Sequence, residues 1–190
     1  MAKFSSSFLA SFKIGDNINY NLEVIKTLYS AQLQLDRSEK HLLEKPITVL
    51  LVSICEALIY DFIKRSQWFV REGVKGLPSA SLETLRTGDS WSMDKKIKLF
   101  KELNILQTKD EQVYDYLNKL SKLRNRIHIQ NEKQNFEMDE VRAFTKARRI
   151  EAEKMVELLI RKIGGLYPRP PHIKESAFVE DFDLPWDSHF

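Results

Sequence analysis

The placement of proline constrains the fold of this chain more than any other feature. None of its six prolines precedes Pro46, and none lies between Pro78 and Pro168. Proline inside a helix removes a backbone hydrogen bond and clashes with the preceding turn, so long stretches without proline are typical of helices. Because the chain also has only six glycines in 190 residues, long helices can form through most of its length.

Five stretches show the three- and four-residue spacing of apolar side chains that indicates amphipathic helices. They cover about residues 19–36, 45–70, 92–106, 110–127 and 139–163. The second has Pro46 at its first helical position and is apolar on nearly every side over residues 49–63, which predicts the central, most buried helix. Residues 79–86 can add a short helical turn, and Gly164 and Gly165 predict the end of the fifth helix.

No segment alternates as a strand does, and no sequence repeat is present. The sequence therefore predicts an all-α fold, an up-and-down bundle of about five helices with an extended C-terminal tail. We expect residues 1–18 to form an N-terminal extension, residues 19–164 the bundle, and residues 165–190 a tail that contains prolines, acids and aromatic side chains.

Composition excludes several classes of site. A hydrophobic fraction of 43% and a charged fraction of 30% are typical of a soluble globular protein. The single cysteine, Cys55, rules out a disulfide framework and any zinc site built on several cysteines. No glycines have the spacing of a phosphate-binding loop, and neither HExxH nor Gly-x-Ser-x-Gly occurs. We predict no metal and no cofactor.

The apolar segments bear on where in the cell the protein is expected. The N-terminus has no long apolar stretch of the kind a signal peptide contains. Residues 47–63 include Glu56 and Asp61 and are too short for a good membrane span, so they predict a buried helix. A lone thiol is compatible with a reducing compartment, and we predict a cytoplasmic protein with no membrane partner.

The charge is uneven along the chain. Residues 117–163 carry twelve Lys or Arg and seven Asp or Glu, whereas residues 164–190 carry two and five. A basic late segment permits a nucleic-acid partner. The alternative is a solvated helix face without a partner.

One short motif carries potential chemistry, namely Arg124-Asn125-x-x-His128 near the end of the fourth helix. If that helix continues at about 100° per residue, Arg124 and His128 stack on one face, beside the apolar stripe centred on Leu120 and Ile127. Guanidinium binds phosphate oxygens through a planar fork, and imidazole exchanges protons near neutral pH. The structural alternative has His128 hydrogen-bonded at the edge of the core and Arg124 paired with an acid.

Three further basic residues and two acids complete the prediction. Lys119, Lys122 and Arg126 are expected on the wetter side of the same helix, as RNA-binding side chains. Glu56 lies within an apolar run, where an unpaired carboxylate is costly. It is expected either to orient Arg124 or to form a structural ion pair or hydrogen bond, whereas Asp61 is expected to reach the edge of the bundle and solvent.

The helix order and this motif resemble the HEPN superfamily of small helical bundles. The resemblance covers about residues 20–163 and rests on the segments ITVLLVSICEALIYDFIKR, MDKKIKLFKELNIL and YDYLNKLSKLRNRIHIQN. The chain looks most like the stand-alone bacterial branches associated with RNA-targeting toxins and antiphage defence.

The resemblance implies a homodimer in which the two copies of helix four form one composite, metal-independent endoribonuclease site. Arg124 would then hold the scissile phosphate, Asn125 would orient a neighbour or the phosphate, and His128 would act as general base or acid on the ribose 2′-hydroxyl. A toxin–antitoxin arrangement would supply an antitoxin or another partner protein, which the C-terminal tail could bind.

The spacing of the motif leaves a second function open. The family's catalytic pattern places four to six residues between Arg and His, but only three separate Arg124 from His128. The usual spacing falls on Ser121, Lys122 and Leu123, none of which is Arg. The alternative is a non-catalytic HEPN module that binds RNA, a nucleotide or a protein partner.

Overall fold

The computed structural model describes residues 2–68, 74–87, 91–127, 139–170 and 180–190. Its helices are α1 (Phe12–Gln34), α2 (Glu44–Trp68), α3 (Ser79–Thr87), α4 (Met93–Glu102), α5 (Gln112–Arg124), α6 (Glu140–Ala143) and α7 (Lys146–Leu166). Its strands are β1 (Ala2–Phe4) and β2 (Phe182–Leu184). The all-α prediction is confirmed, with seven helices in the described residues instead of about five. The short turn expected at 79–86 is α3, and the fifth predicted helix is divided into α6 and α7.

The central helix of the bundle is α2, as its all-round apolarity predicts. Fourteen of its 25 residues are buried, and it packs against α1, α3, α4, α5 and α7. Within the described part of the chain, Lys40–Trp68 is the one segment long and apolar enough to cross a membrane. In the apolar 18-residue stretch of this segment, 61% is buried inside the protein. Burial of this kind is expected for the core helix of a soluble bundle.

The N-terminal segment differs from the predicted extension. Helix α1 begins at Phe12, where the Ser11 hydroxyl accepts a hydrogen bond from the Ile14 backbone N–H at 3.4 Å. This N-cap satisfies one of the backbone donors that every helix start leaves open. The structure places the start of α1 seven residues before the expected position at residue 19.

The structure adds two short strands that the alternation of side chains in the sequence did not reveal. Strands β1 and β2 pair antiparallel, with Ala2 opposite Leu184 and Phe4 opposite Phe182. Each strand has three residues, which is too short for a two-residue alternation to stand out in a sequence. Phe182 and Leu184 are fully buried and Trp186 is 8% exposed, so this part of the tail packs on its own bundle.

Ser188 and His189, close to the end of the tail, are held by carboxylates of α7. His189 Nε2 lies 2.9 Å from Glu153 Oε2, and the His189 backbone N–H donates to Glu157 at 3.0 Å. Burial raises the pKa of Glu157, but the hydrogen bonds from His189, Ser188 and Arg161 outweigh it, so that the pKa lies below its usual value. The tail therefore helps to keep a buried carboxylate ionised.

Asp61 does not reach solvent, contrary to the expectation from its position on α2. It is 1% exposed, and its carboxylate accepts from the backbone N–H groups of Ala10 at 2.8 Å and Ser11 at 2.9 Å. Burial raises its pKa, while these two hydrogen bonds and the charges of Arg169 and Arg65 oppose the rise. Asp61 thus fixes the entry of the chain into α1 against the central helix.

The glycine pair near the end of α7 does not end the helix, which continues to Leu166. Gly164 instead permits close packing, because a Cβ at this position would lie 2.9 Å from Cδ1 of the buried Phe8 ring. A Cβ at Gly165 would meet no atom within 4 Å.

We expect the two glycines to respond in opposite ways to alanine. Gly164→Ala should lower the free energy of unfolding by about 1–3 kcal/mol, the usual cost of overpacking. Gly165→Ala should raise it by up to about 1 kcal/mol, because alanine favours the helix. Urea denaturation followed by circular dichroism measures both. Equal destabilisation by the two variants would contradict the contact between Gly164 and Phe8.

Candidate functional site

The helix that carries the motif ends earlier than predicted. Helix α5 stops at Arg124, and Asn125–Ile127 form a 3₁₀ turn. The expectation that the regular α-helix continues through residue 127 was therefore wrong, since the angle per residue changes after Arg124. His128 itself lies outside the described residues, and its position beside Arg124 stays a prediction.

Arg124 lies in a groove of about 530 Å³ that we call the motif groove. Four helices line it with side chains from α1 (Ile14), α2 (Ser53, Glu56, Ala57, Tyr60), α4 (Met93, Lys96), and α5 with the following turn (Ser121, Arg124, Asn125). The groove is thus a product of tertiary packing between segments that are far apart in the chain.

A carboxylate holds Arg124 in this groove. Glu56 Oε2 lies 3.6 Å from Arg124 Nη2, and Glu56 Oε1 accepts a hydrogen bond from the Ser121 hydroxyl at 3.3 Å. Glu56 was expected either to orient Arg124 or to form a structural ion pair, and this contact is compatible with both roles. A partly exposed pair of this kind contributes only about 0–1 kcal/mol to stability, so its main effect is to restrict the orientation of the guanidinium.

These contacts do not use all the hydrogen-bond donors of Arg124. Its Nε is buried and has no hydrogen-bond partner among the described residues, while 37% of the side chain stays exposed. A guanidinium that is oriented by one carboxylate and still accessible can bind an anionic oxygen that enters the groove.

A second cation, Lys96 from α4, faces the same groove. Burial lowers its pKa, Glu56 partly offsets this effect, and Lys64 adds to it by repulsion. Lys96 Nζ also lies 5.0 Å from the centroid of the Tyr60 ring. With two cations and one carboxylate, the motif groove favours an anionic ligand.

The three predicted RNA-binding residues do not all line one groove. Lys119 and Lys122 are exposed and line a different groove, of about 580 Å³ between α4 and α5, with Lys98 and Lys101. Arg126 was expected on the same wet side but is only 9% exposed. The 3₁₀ turn explains the difference, because it rotates the residues after Arg124 away from their positions on an ideal α-helix.

The same turn moves an apolar side chain outward. Ile127 was expected in the apolar stripe of the motif helix, yet it is 42% exposed. Leu120, which lies within the regular part of α5, is 3% exposed and thus occupies the predicted buried stripe.

Tyr60, Lys96 and Ser121 are among the groove residues that the sequence analysis did not assign to a site. Tyr60 had a usable signal, because it follows Glu56 by four residues and so lies on the same face of α2. Lys96 had none, since helical periodicity does not show which face of α4 packs beside α5. In the described ranges, no group of three or more His, Cys, Asp or Glu side chains is placed to hold a metal ion.

No protein-family model matches this chain, and neither a curated protein nor a solved structure matches it significantly.

Proposed function

We propose that the protein binds single-stranded RNA in the motif groove and cleaves it there without a metal ion, as a HEPN-like endoribonuclease. The observation that carries the proposal is the arrangement around Arg124, a guanidinium that Glu56 orients and that stays accessible beside Lys96. Such an arrangement suits a phosphodiester, whose charge it would balance.

The proposed reaction is an internal transesterification. His128 removes the proton of the ribose 2′-hydroxyl, and the 2′-oxygen attacks phosphorus. The bond to the 5′-oxygen breaks as that oxygen takes a proton from the protonated second copy of His128 in the proposed dimer. The products are a 2′,3′-cyclic phosphate and a 5′-hydroxyl. Arg124 stabilises the negative charge that develops on the phosphoryl oxygens, and Asn125, which also lines the groove, orients the phosphate.

The proposal includes a homodimer that brings the two copies of α5 together, and a cytoplasmic role in toxin–antitoxin or antiphage defence. These parts rest on the resemblance of the sequence to HEPN proteins. A partner or antitoxin that binds the tail would find Phe182 and Leu184 buried in the bundle and Phe190 64% exposed. The exposed end of the tail is therefore the part that such a partner could contact first.

A second candidate is a non-catalytic HEPN module that binds RNA, a nucleotide or a protein partner. The end of α5 at Arg124 favours it, because the residues that follow, Asn125–Ile127, do not continue the regular α-helix on which the predicted Arg124–His128 stacking depends. The short spacing of the motif also favours it, because three residues separate Arg124 from His128 where the family's catalytic pattern has four to six.

Cleavage in the presence of a chelator separates the two candidates. We expect purified protein to cut a single-stranded RNA in excess EDTA and to leave 2′,3′-cyclic phosphate ends, because the proton transfers run through side chains. Gel analysis of an end-labelled RNA, with phosphatase and kinase treatment of the products, measures both.

Three outcomes are informative. Binding that weakens with salt but yields no cleavage would support the non-catalytic module. Cleavage that EDTA abolishes would contradict the metal-independent mechanism. A protein that neither binds nor cleaves RNA would contradict the endoribonuclease, and would restrict the non-catalytic module to a nucleotide or a protein as its ligand.

A further inference from the structure

One face of α2 continues from the motif groove towards the end of the helix. Glu56, Tyr60, Lys64 and Trp68 follow one another at intervals of four residues, which places each beside the next on a stripe that winds slowly around an α-helix. Tyr60 is 37% exposed and Trp68 is 66% exposed. Two large aromatic side chains thus lie open on the surface next to the groove that contains Arg124.

Basic side chains alternate with these rings. Lys64 Nζ lies 4.5 Å from the centroid of the Trp68 ring and 5.6 Å from that of Tyr60, and Lys96 Nζ lies 5.0 Å from Tyr60 on the other side. We call the surface formed by Tyr60, Lys64, Trp68 and Lys96 the aromatic-basic face.

We propose that the aromatic-basic face binds the stretch of single-stranded RNA that adjoins the phosphate at Arg124, with unpaired bases stacked on Tyr60 and Trp68. Lys64 and Lys96 would contact the phosphates between those bases. This inference rests on the proposed function, because it assigns the part of the RNA that lies outside the cleavage position.

The alternation of rings and ammonium groups is what points to a single strand. Stacking needs an open base face, which a duplex does not offer, whereas a single strand presents bases and phosphates in turn. Trp68 follows Tyr60 by eight positions, which is a rise of about 12 Å along the helix axis. The face is therefore long enough for more than one nucleotide. Because every base has an aromatic face, this surface should bind RNA with little sequence preference.

Titration of a labelled RNA tests the inference. The probe is a fluorescein-labelled 12-nucleotide oligouridylate with 2′-O-methyl groups, which blocks cleavage, and the measurement is fluorescence anisotropy. We expect Trp68→Ala and Tyr60→Ala each to weaken binding by about 5- to 100-fold, the range for the loss of one base–aromatic stack. Trp68→Phe should retain most of the affinity.

Two further measurements use the charge and the ring directly. Lys64→Gln should weaken binding and reduce the slope of log affinity against log salt by about 1, as expected for one lost phosphate contact. Stacking on Trp68 should quench tryptophan fluorescence on RNA binding, and Trp68→Phe should remove that part of the quenching.

Matched controls come from exposed residues elsewhere. Tyr20 on α1 is 71% exposed, and Lys154 on α7 is also exposed. Tyr20→Ala and Lys154→Gln should bind the probe as the unmodified protein does. Since Trp68 is largely exposed, its variants should keep the helical content of the parent.

The outcomes separate this inference from the proposed function. If Arg124→Ala weakens binding but Trp68→Ala and Tyr60→Ala do not, RNA binding stands and the aromatic-basic face is not part of it. If a duplex of the same length competes as well as the single strand, stacking is not the mode of recognition and the inference is wrong. If the unmodified protein does not bind the probe, both the inference and the proposed function fail.

Discussion

His128→Ala is expected to reduce RNA cleavage by about 10²- to 10⁴-fold, the usual contribution of general acid–base catalysis. The reason is that His128 is the one imidazole in the motif, and imidazole is the side chain that commonly exchanges protons near neutral pH. Its removal should leave the helical content unchanged. Single-turnover cleavage of an end-labelled RNA measures the rate.

Arginine variants test the other half of the motif. Arg124→Lys should also be severely impaired, because an ammonium group cannot make the two parallel hydrogen bonds of a guanidinium to phosphate. Lys122→Ala is the matched control, since Lys122 lies in the separate groove between α4 and α5, and its effect should be mild. If Lys122→Ala abolished cleavage and Arg124→Ala were harmless, the motif residues would be assigned to the wrong positions.

Asp61→Ala is expected to lower the free energy of unfolding by about 2–4 kcal/mol, because it leaves buried hydrogen-bond donors without an acceptor. The donors are the backbone N–H groups of Ala10 and Ser11. The change also removes the negative charge that faces the cations of Arg65 and Arg169, and an uncompensated buried charge is costly. For a chain of this size, the melting temperature should fall by about 4–16 °C.

Two variants make the Asp61 result specific. Asp16 lies exposed on α1, and Asp16→Ala should change the free energy of unfolding by no more than about 0.5 kcal/mol. Asp61→Asn keeps one acceptor oxygen and should fall between the parent and Asp61→Ala. If Asp61→Ala were as stable as Asp16→Ala in urea denaturation, the bonds to Ala10 and Ser11 would not anchor the N-terminal segment.

The bundle itself could be predicted because its signals are local. Each helix is indicated by the spacing of apolar side chains within its own residues. The absence of proline between Pro78 and Pro168 means that no proline breaks a helix in that stretch. Ser92 is one example: it is the first residue of the third predicted helix, and its hydroxyl caps α4 by accepting a hydrogen bond from the Lys95 N–H at 3.5 Å.

The candidate site could be predicted only in part. The motif identifies Arg124, and the cost of an unpaired carboxylate identifies Glu56 as a residue that needs a partner. The turn after α5 could not be predicted, because an ideal helix continues Arg124 to His128, whereas the structure changes to 3₁₀ geometry at Asn125. Arg126 and Ile127 were placed on the wrong sides for that reason.

The sequence by itself determined that this chain folds into helices around a central apolar α2, because helix formation and amphipathic burial depend on residues only three or four positions apart. Only the tertiary structure decided which faces meet. It brings Lys96 of α4 beside Tyr60 of α2, turns Asp61 inward to the chain before α1, and pairs β1 with β2 across almost the whole sequence. These contacts join residues tens to nearly two hundred positions apart, and no local periodicity records such pairings.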